Sequence, residues 1–305
     1  MTWLAWRQAR AQAIVAAGLL AVVVVTLAAT QGHIARTPAD DLTTAYESLR
    51  LLGTALVGVP AAIGAFWGAP LLARELELGT HRLAWTQGIT RRRWLATKLG
   101  VLGGAAAGAT GIFAAAFTWW SRTFDATGNR IGTANFGQRG IVPVAYALFA
   151  LALGTLAGAI LRRTLPAMAV TLIGFFVARF SFQLLVRPRL VETIVLNQPT
   201  TMYGPDESAA SDGVWVLSSR IVDASGHTVS GSSVDNLLAQ TCNLTRDSPA
   251  ETWAKCAQQA GLRDVVRGHP ASQFWTLQLW ETAAFCGLTI ALVAACFWWV
   301  HHRTS

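Results

Sequence analysis

Six stretches of about 20 apolar residues dominate this sequence, each long enough to cross a hydrocarbon core about 30 Å thick as a helix. Ala11–Thr30, Leu51–Ala73, Leu99–Ser121 and Ile141–Leu161 contain no charged residue. Thr164–Val186 is interrupted only by Arg179, and Trp275–Val300 only by Glu281. The rest of the 305-residue chain cannot offset so much apolar surface. Only 13% of residues are charged and 53% are hydrophobic, whereas a soluble domain carries about 25% charged residues. A disordered chain needs high charge and low hydropathy, so that class is excluded too. Four cysteines without a CxxC pair exclude a disulfide scaffold and the commonest zinc and redox patterns. The expected fold is an all-α polytopic membrane protein with six transmembrane helices.

Orientation follows from the short loops, where Lys and Arg concentrate on the cytoplasmic side. With the N-terminus inside, the cytoplasmic segments hold Arg7, Arg10, Arg74, Arg82, Arg91, Arg92, Arg93, Lys98, Arg162, Arg163 and Arg303. The short outer loops hold only Arg36, Arg122, Arg130 and Arg139, with Arg50 at a boundary. Both termini are therefore expected in the cytoplasm. The first span is too long for a cleavable signal peptide and lacks a cleavage site after it. Lys+Arg exceeds Asp+Glu by 24 to 16, yet these charges read as topology determinants, and no nucleic-acid partner is expected. Lys98 and Lys255 are the only lysines. That Arg bias, with abundant Ala and Gly, suggests a GC-rich bacterial genome and a plasma-membrane location.

The chain divides into residues 1–186, holding five spans and a cytoplasmic hairpin at 73–98, an extracytoplasmic insert at 187–274, and a last span with a short tail at 275–305. The insert is too long for an ordinary connector. Val214-Trp-Val-Leu and Arg220-Ile-Val look like short strands, and the stretch from Asp247 to Gln259 like a short helix. Cys242 and Cys256 are its only cysteines, and on an oxidising face a disulfide between them is expected. Within the spans, Gly64/Gly68, Gly100/Gly104/Gly108 and Gly154/Gly158 repeat at four-residue spacing. Such spacing lets helix backbones approach closely. Packing within the chain is the simpler reading, and Gly100/Gly104/Gly108 is the best candidate for a subunit interface.

The hairpin is the most informative stretch. Glu75 and Glu77 extend the second helix beyond the membrane, and Gly79 can end it in a left-handed turn. Leu83, Trp85 and Ile89 form a short apolar patch, and Thr90 is placed to cap the helix that re-enters the membrane. Here the sequence resembles the ABC transporter type-2 permease family. In that family the first cytoplasmic loop reads acidic-x-acidic-x-Gly-Thr, a few mostly apolar residues, Pro-x-Ser-Arg, and then a Lys opening the next helix. The matching positions are Glu75, Glu77, Gly79, Thr80, Leu83, Thr90 in place of Ser, Arg91 and Lys98, while Gly88 stands where the family usually has Pro. The N-terminal Trp3, Trp6, Arg7 and Arg10 resemble the family's interfacial helix.

The resemblance implies the permease subunit of an ABC exporter. One such chain pairs with a second, as a homo- or heterodimer, and two separate cytoplasmic ABC ATPase subunits dock beneath. ATP and Mg would then be bound by the ATPase, and this chain would carry no cofactor of its own. In that scheme Glu75, Glu77, Gly79, Thr80, Arg82, Leu83, Thr90 and Arg91 form the coupling element. Glu75 and Glu77 would face basic residues of the ATPase; Arg82 and Arg91–Arg93 would face acidic ones or lipid phosphates. An absence agrees with this division of labour. A P-loop needs Gly-x-x-x-x-Gly-Lys-Ser/Thr, and neither lysine follows a glycine. The apolar spans suit an amphipathic or lipid-like cargo.

Arg179 and Glu281 are the two ionisable residues inside spans, and such residues are functional candidates whose partners should be named. At 1.5 Å per residue, Arg179 lies about 22 Å above the cytoplasmic side and Glu281 about 9 Å below the outer side. These are nearly the same depth. The two pair with each other, or both face a polar outer vestibule, or Arg179 snorkels to the interface. No HExxH or GxSxG motif is present, the six His residues lack metal-ligand spacing, and no catalytic residue is expected. The rival class is an ATPase-independent membrane carrier using Arg179 and Glu281, or a sensor using the outer insert.

Overall fold

The computed structural model describes residues 2–34, 53–79, 90–122, 131, 136–199, 213–242 and 249–303. The chain forms two compact units. The first comprises Met1–Arg122, Thr133–Arg187 and Gln278–Ser305, and the second Thr123–Gly132 and Pro188–Leu277. Among the described residues, five helices are long and apolar enough to cross a membrane: α2 (Gly53–Glu77), α3 (Arg91–Ser121), α4 (Val142–Leu161), α5 with its extension (Thr164–Arg189) and the last helix with its lead-in (Ala271–His302). Helix α1 (Thr2–Ile34) precedes them, and its apolar part, Ala17–Gly32, is shorter.

Helix α4 is the centre of the helical unit. It has no charged residue and starts with Pro143 in its first turn, where a missing N–H costs nothing. Buried residues lie on every side of it, from Val142 to Ala159, the pattern of a helix surrounded by protein. It ends because Arg162 takes a left-handed conformation (φ 53°). Arg163 is extended, and α5 starts at Thr164, so the elbow between two antiparallel helices is only two residues long.

Helix α2 meets α4 backbone to backbone. Gly64 and Gly68 of α2 face Ala150 and Leu151 of α4, and a Cβ built at either glycine would lie 2.6 Å from the facing carbonyl oxygen. From the other side, Gly154 abuts Gly64 and Ala69, and Gly158 abuts Ala69 and Ala73. The two small-xxx-small pairs thus mesh with each other within the chain. Gly100, Gly104 and Gly108 of α3 have nothing within 4 Å of an added Cβ. At this contact α2 loosens into a π turn, Gly64–Gly68, where the Ala69 N–H reaches back five residues to the Gly64 carbonyl. Pro70 follows at once, and the N–H it lacks breaks the regular helical ladder there.

The remaining helices pack around this pair. At the end where α2 and α3 join, Leu72, Trp94, Leu95 and Ala159 form a buried cluster with Cys296 and Val300 of the last helix. Ala69, Ala73, Ala157 and Ala167 pack the ends of α2 and α4 against the start of α5. Helix α1 is tied to α3 by a hydrogen bond from the Trp120 indole to the Thr30 hydroxyl, 3.0 Å.

The second unit contains a sheet that an all-α assignment does not cover. Four antiparallel strands, β1 (Ile194–Pro199), β2 (Val214–Val222), β3 (Thr228–Val229) and β4 (Arg263–Pro270), are ordered β1-β4-β2-β3. Val214, Val216, Ile194, Leu196 and Val266 cluster on it at the two-residue period of a pleated strand. The β2–β3 turn is held by Asp223, whose carboxyl accepts from the Ser225 hydroxyl at 2.6 Å and from the His227 N–H at 2.9 Å. These bonds hold it below the usual carboxylate range. Helices α6 (Gly231–Cys242) and α7 (Ala250–Gln259) pack through Val234, Leu238, Cys256 and Ala257, with Leu262 completing the cluster. A disulfide joins Cys242 to Cys256. Closing a loop of that size stabilises the fold by about 3 kcal/mol in the chain-entropy account. The last helix is α8 (Phe274–His302).

Candidate functional site

The residues singled out by sequence fall at opposite ends of the helical unit. At the hairpin end, α2 stops as expected. The Leu78 N–H bonds the Arg74 carbonyl at 3.0 Å, and Gly79 follows with φ 69°. Thr90 is extended and caps α3, its hydroxyl oxygen accepting the Arg93 N–H at 3.4 Å. Arg91 opens α3. Thr80, Arg82 and Leu83 lie outside the described residues, as do the side chains of Trp3, Trp6, Arg7 and Arg10, which belong to α1.

The two acidic residues are engaged within the chain. Glu75 forms an ion pair with Lys98 of α3, whose ammonium also lies over the Trp94 ring, 4.6 Å from its centre. Glu77 reaches α5. One carboxylate oxygen accepts the Thr164 N–H at 3.2 Å and the Thr164 hydroxyl at 2.9 Å. Helix α5 has no capping side chain of its own, so a carboxylate from another helix satisfies its first N–H and meets the positive end of its dipole. The family resemblance implies that these carboxylates face basic residues of an ATPase. What it could not show is that the fold brings Lys98 and Thr164 to them. Nearby, the Arg162 guanidinium donates to the Arg303 carbonyl at 3.0 Å.

At the far end lies a buried ion cluster, and here the expected direct pair of Arg179 and Glu281 is replaced. Glu281 is held by Arg187, with Nε to one carboxylate oxygen at 2.8 Å and Nη2 to the other at 2.9 Å. This is the bidentate geometry that makes guanidinium–carboxylate pairs strong. Tyr146 of α4 donates its hydroxyl to the same carboxylate. Arg187 and Glu281 are 0% exposed, as is Tyr146, and Arg179 is 1% exposed. Arg179 instead donates to the Val57 carbonyl of α2 at 2.9 Å and lies 4.8 Å from the Tyr146 ring centre. It therefore joins the cluster through the aromatic ring and does not snorkel to a surface.

A second π turn explains the change of partner. Arg179 and Arg187 are eight residues apart, about 80° out of phase on a regular α-helix. The turn Phe182–Val186, in which the Arg187 N–H bonds the Phe182 carbonyl, takes up one extra residue. The two arginines then behave like residues seven apart, about two full turns, and share a face. A hydropathy boundary at Val186 assigns Arg187 to the insert. The only signal that could have corrected this was the excess of nearby arginine over a lone carboxylate. Around the cluster, Gln278 of α8 caps α4, its side-chain oxygen accepting the Ile141 and Val142 N–H groups at 3.1 Å each. Gln138 donates to the Gly53 carbonyl at the start of α2, 2.7 Å.

Long apolar helices, a charge cluster buried among them and basic residues at their hairpin ends define a multi-pass membrane protein. The family described as ABC-2 membrane transporter related matches residues 1–187. The chain belongs to that family, whose members are membrane subunits of ABC transporters. No curated protein and no solved structure matches it.

Proposed function

We propose that this chain is the permease subunit of an ABC exporter, working as a dimer of permease chains above two cytoplasmic ABC ATPase subunits in a bacterial plasma membrane. Six helices, counting α1, cross the bilayer with both termini inside. The second unit stands outside, a placement that its disulfide favours. ATP and Mg are bound by the ATPase. The cargo is amphipathic or lipid-like, since the spans offer apolar surface and one buried ionic cluster.

The observation that carries this reading is the hairpin end itself. There α2 and α4 pack with α3 and α8 in one small cluster and with α5 in a second, so a force applied to the α2–α3 connection reaches every helix that meets α2 at this end. Glu75 is held by Lys98, and Glu77, though exposed, by the start of α5, so docking falls to the connection and to the exposed Arg92 and Arg93 at the start of α3. An acidic groove of the ATPase is the complementary surface.

Tagged chain purified in mild detergent after cross-linking should therefore bring down a protein with a Walker-A motif, identified by mass spectrometry. Reversal of Arg92 and Arg93 to Glu should reduce its recovery. If no such ATPase is recovered from any cross-linked preparation, the permease reading falls and a carrier or sensor replaces it.

A further inference from the structure

Helix α5 is fastened at both ends to different parts of the helical unit. At the hairpin end its first N–H and the Thr164 hydroxyl are held by Glu77 of α2, and Ala167 packs against Ala69 and Ala73 of the same helix. Toward the other end Arg179 holds the Val57 carbonyl, near the start of α2. Beyond it Arg187 holds Glu281 of α8, which in turn accepts from Tyr146 of α4. Between Thr164 and Arg187 the helical path rises about 35 Å at 1.5 Å per residue. Its one irregularity is the π turn Phe182–Val186, placed immediately before the ion pair. A π turn is a point where a helix can gain or lose phase, and such turns recur at functional positions.

We propose that α5 is a relay between the hairpin end and the buried Arg187–Glu281–Tyr146 cluster, with Glu77 as the positioning residue at its near end. A displacement of the α2 terminus pulls the first turn of α5 through Glu77. The π turn converts that pull into a change of phase at Arg187, which strengthens or loosens the hold on Glu281. In this account Glu77 acts by carrying motion between helices and makes no contact with a partner. The proposal deepens the permease reading, because it states how a push on the hairpin reaches the far side. It is tested on the isolated chain, so that its failure and failure to find an ATPase are separate results.

Coupling between two sites is reciprocal, and couplings of functional size start at about fivefold. Amide hydrogen exchange of full-length chain in detergent reads both sites at once. In Glu77→Ala, exchange should rise at 164–168, where the cap is lost, and also by about fivefold or more at 182–189. Residues 142–161 of α4 should be unchanged. Conversely, Glu281→Gln should raise exchange at 164–168. Should that variant fail to fold, Tyr146→Phe, which keeps the ion pair and the ring and removes only the hydroxyl, should do the same in smaller measure. A rise confined to 164–168 in Glu77→Ala makes Glu77 a helix cap and overturns the relay. So does a uniform rise that includes α4, which signals general loosening.

Discussion

Glu281→Met should destabilise the chain by about 3–5 kcal/mol, the cost of leaving one member of a buried ion pair without its partner. The variant takes from the wholly buried Arg187 guanidinium the carboxylate that accepts from its Nε and Nη2, and so its counter-charge. It also removes the acceptor of the Tyr146 hydroxyl. Arg187→Met alone should cost a comparable amount, because it leaves a buried carboxylate with the Tyr146 hydroxyl but without its counter-charge. The double variant Arg187→Met/Glu281→Met should be more stable than either single variant, since replacing a whole buried pair by apolar side chains of similar volume is often neutral. Adding Arg179→Met to Glu281→Met should recover less, because Arg179 leans on the Val57 carbonyl and the Tyr146 ring. Urea unfolding in detergent, followed by tryptophan fluorescence, measures all of these. Greater recovery with Arg179→Met than with Arg187→Met would contradict the assignment of partners.

The second large effect is steric. Gly154→Val or Gly158→Val places side-chain atoms where α2 presents main-chain atoms, at Gly64 and Ala69 for the first and at Ala69 and Ala73 for the second. Backbone cannot move aside as a flexible side chain can. Overpacking of this kind costs about 1–3 kcal/mol and occasionally more. Here it also separates the two helices whose close approach replaces the missing hydrophobic force inside a bilayer. Gly104→Ala and Gly108→Ala on α3 meet open space and should leave the chain's stability unchanged or slightly raised, as Ala favours helix over Gly by about 1 kcal/mol. Thermal unfolding of the four variants, with gel filtration to verify a homogeneous sample, gives the comparison. A destabilised Gly104→Ala beside an unaffected Gly154→Val would show that the wrong pair of stripes had been matched.

The helices were legible because a bilayer imposes one requirement, a long apolar run, that leaves a plain mark in sequence. The helix ends were legible for the same kind of reason. Gly79 and Thr90 act through their own backbone and side chain, and local chemistry is visible locally. Partners were harder. Glycine spacing marks where helices can approach, yet identical spacing in α2, α3 and α4 cannot say which two stripes meet. Glu75 and Glu77 look like acids without partners in the chain until packing brings Lys98 to the first and Thr164 to the second, which stays exposed. Arg187 was hidden twice, by a hydropathy boundary one residue before it and by a π turn that a fixed period of 3.6 does not anticipate. In the second unit, β4 went unread because Arg263-Asp-Val-Val-Arg-Gly-His-Pro carries a buried Asp264 and a buried His269 in place of a clean apolar alternation. The His269 ring is accommodated by Gln273, at 2.8 Å from Nδ1, and by the Trp215 ring, contacts that lie outside any short sequence window.

Docking of an ATPase at the hairpin end of the helical unit, as proposed above, can be read directly in cells. A photo-activatable amino acid at Arg92, exposed at the start of α3, and another at Ser218, exposed on β2, test it in living cells. Illumination should join the Arg92 probe to a protein carrying a Walker-A motif, and the Ser218 probe should give no such adduct. An ATPase adduct from Ser218, or none from Arg92 when the ATPase is otherwise shown to co-purify, would contradict both the docking site and the orientation proposed for the chain.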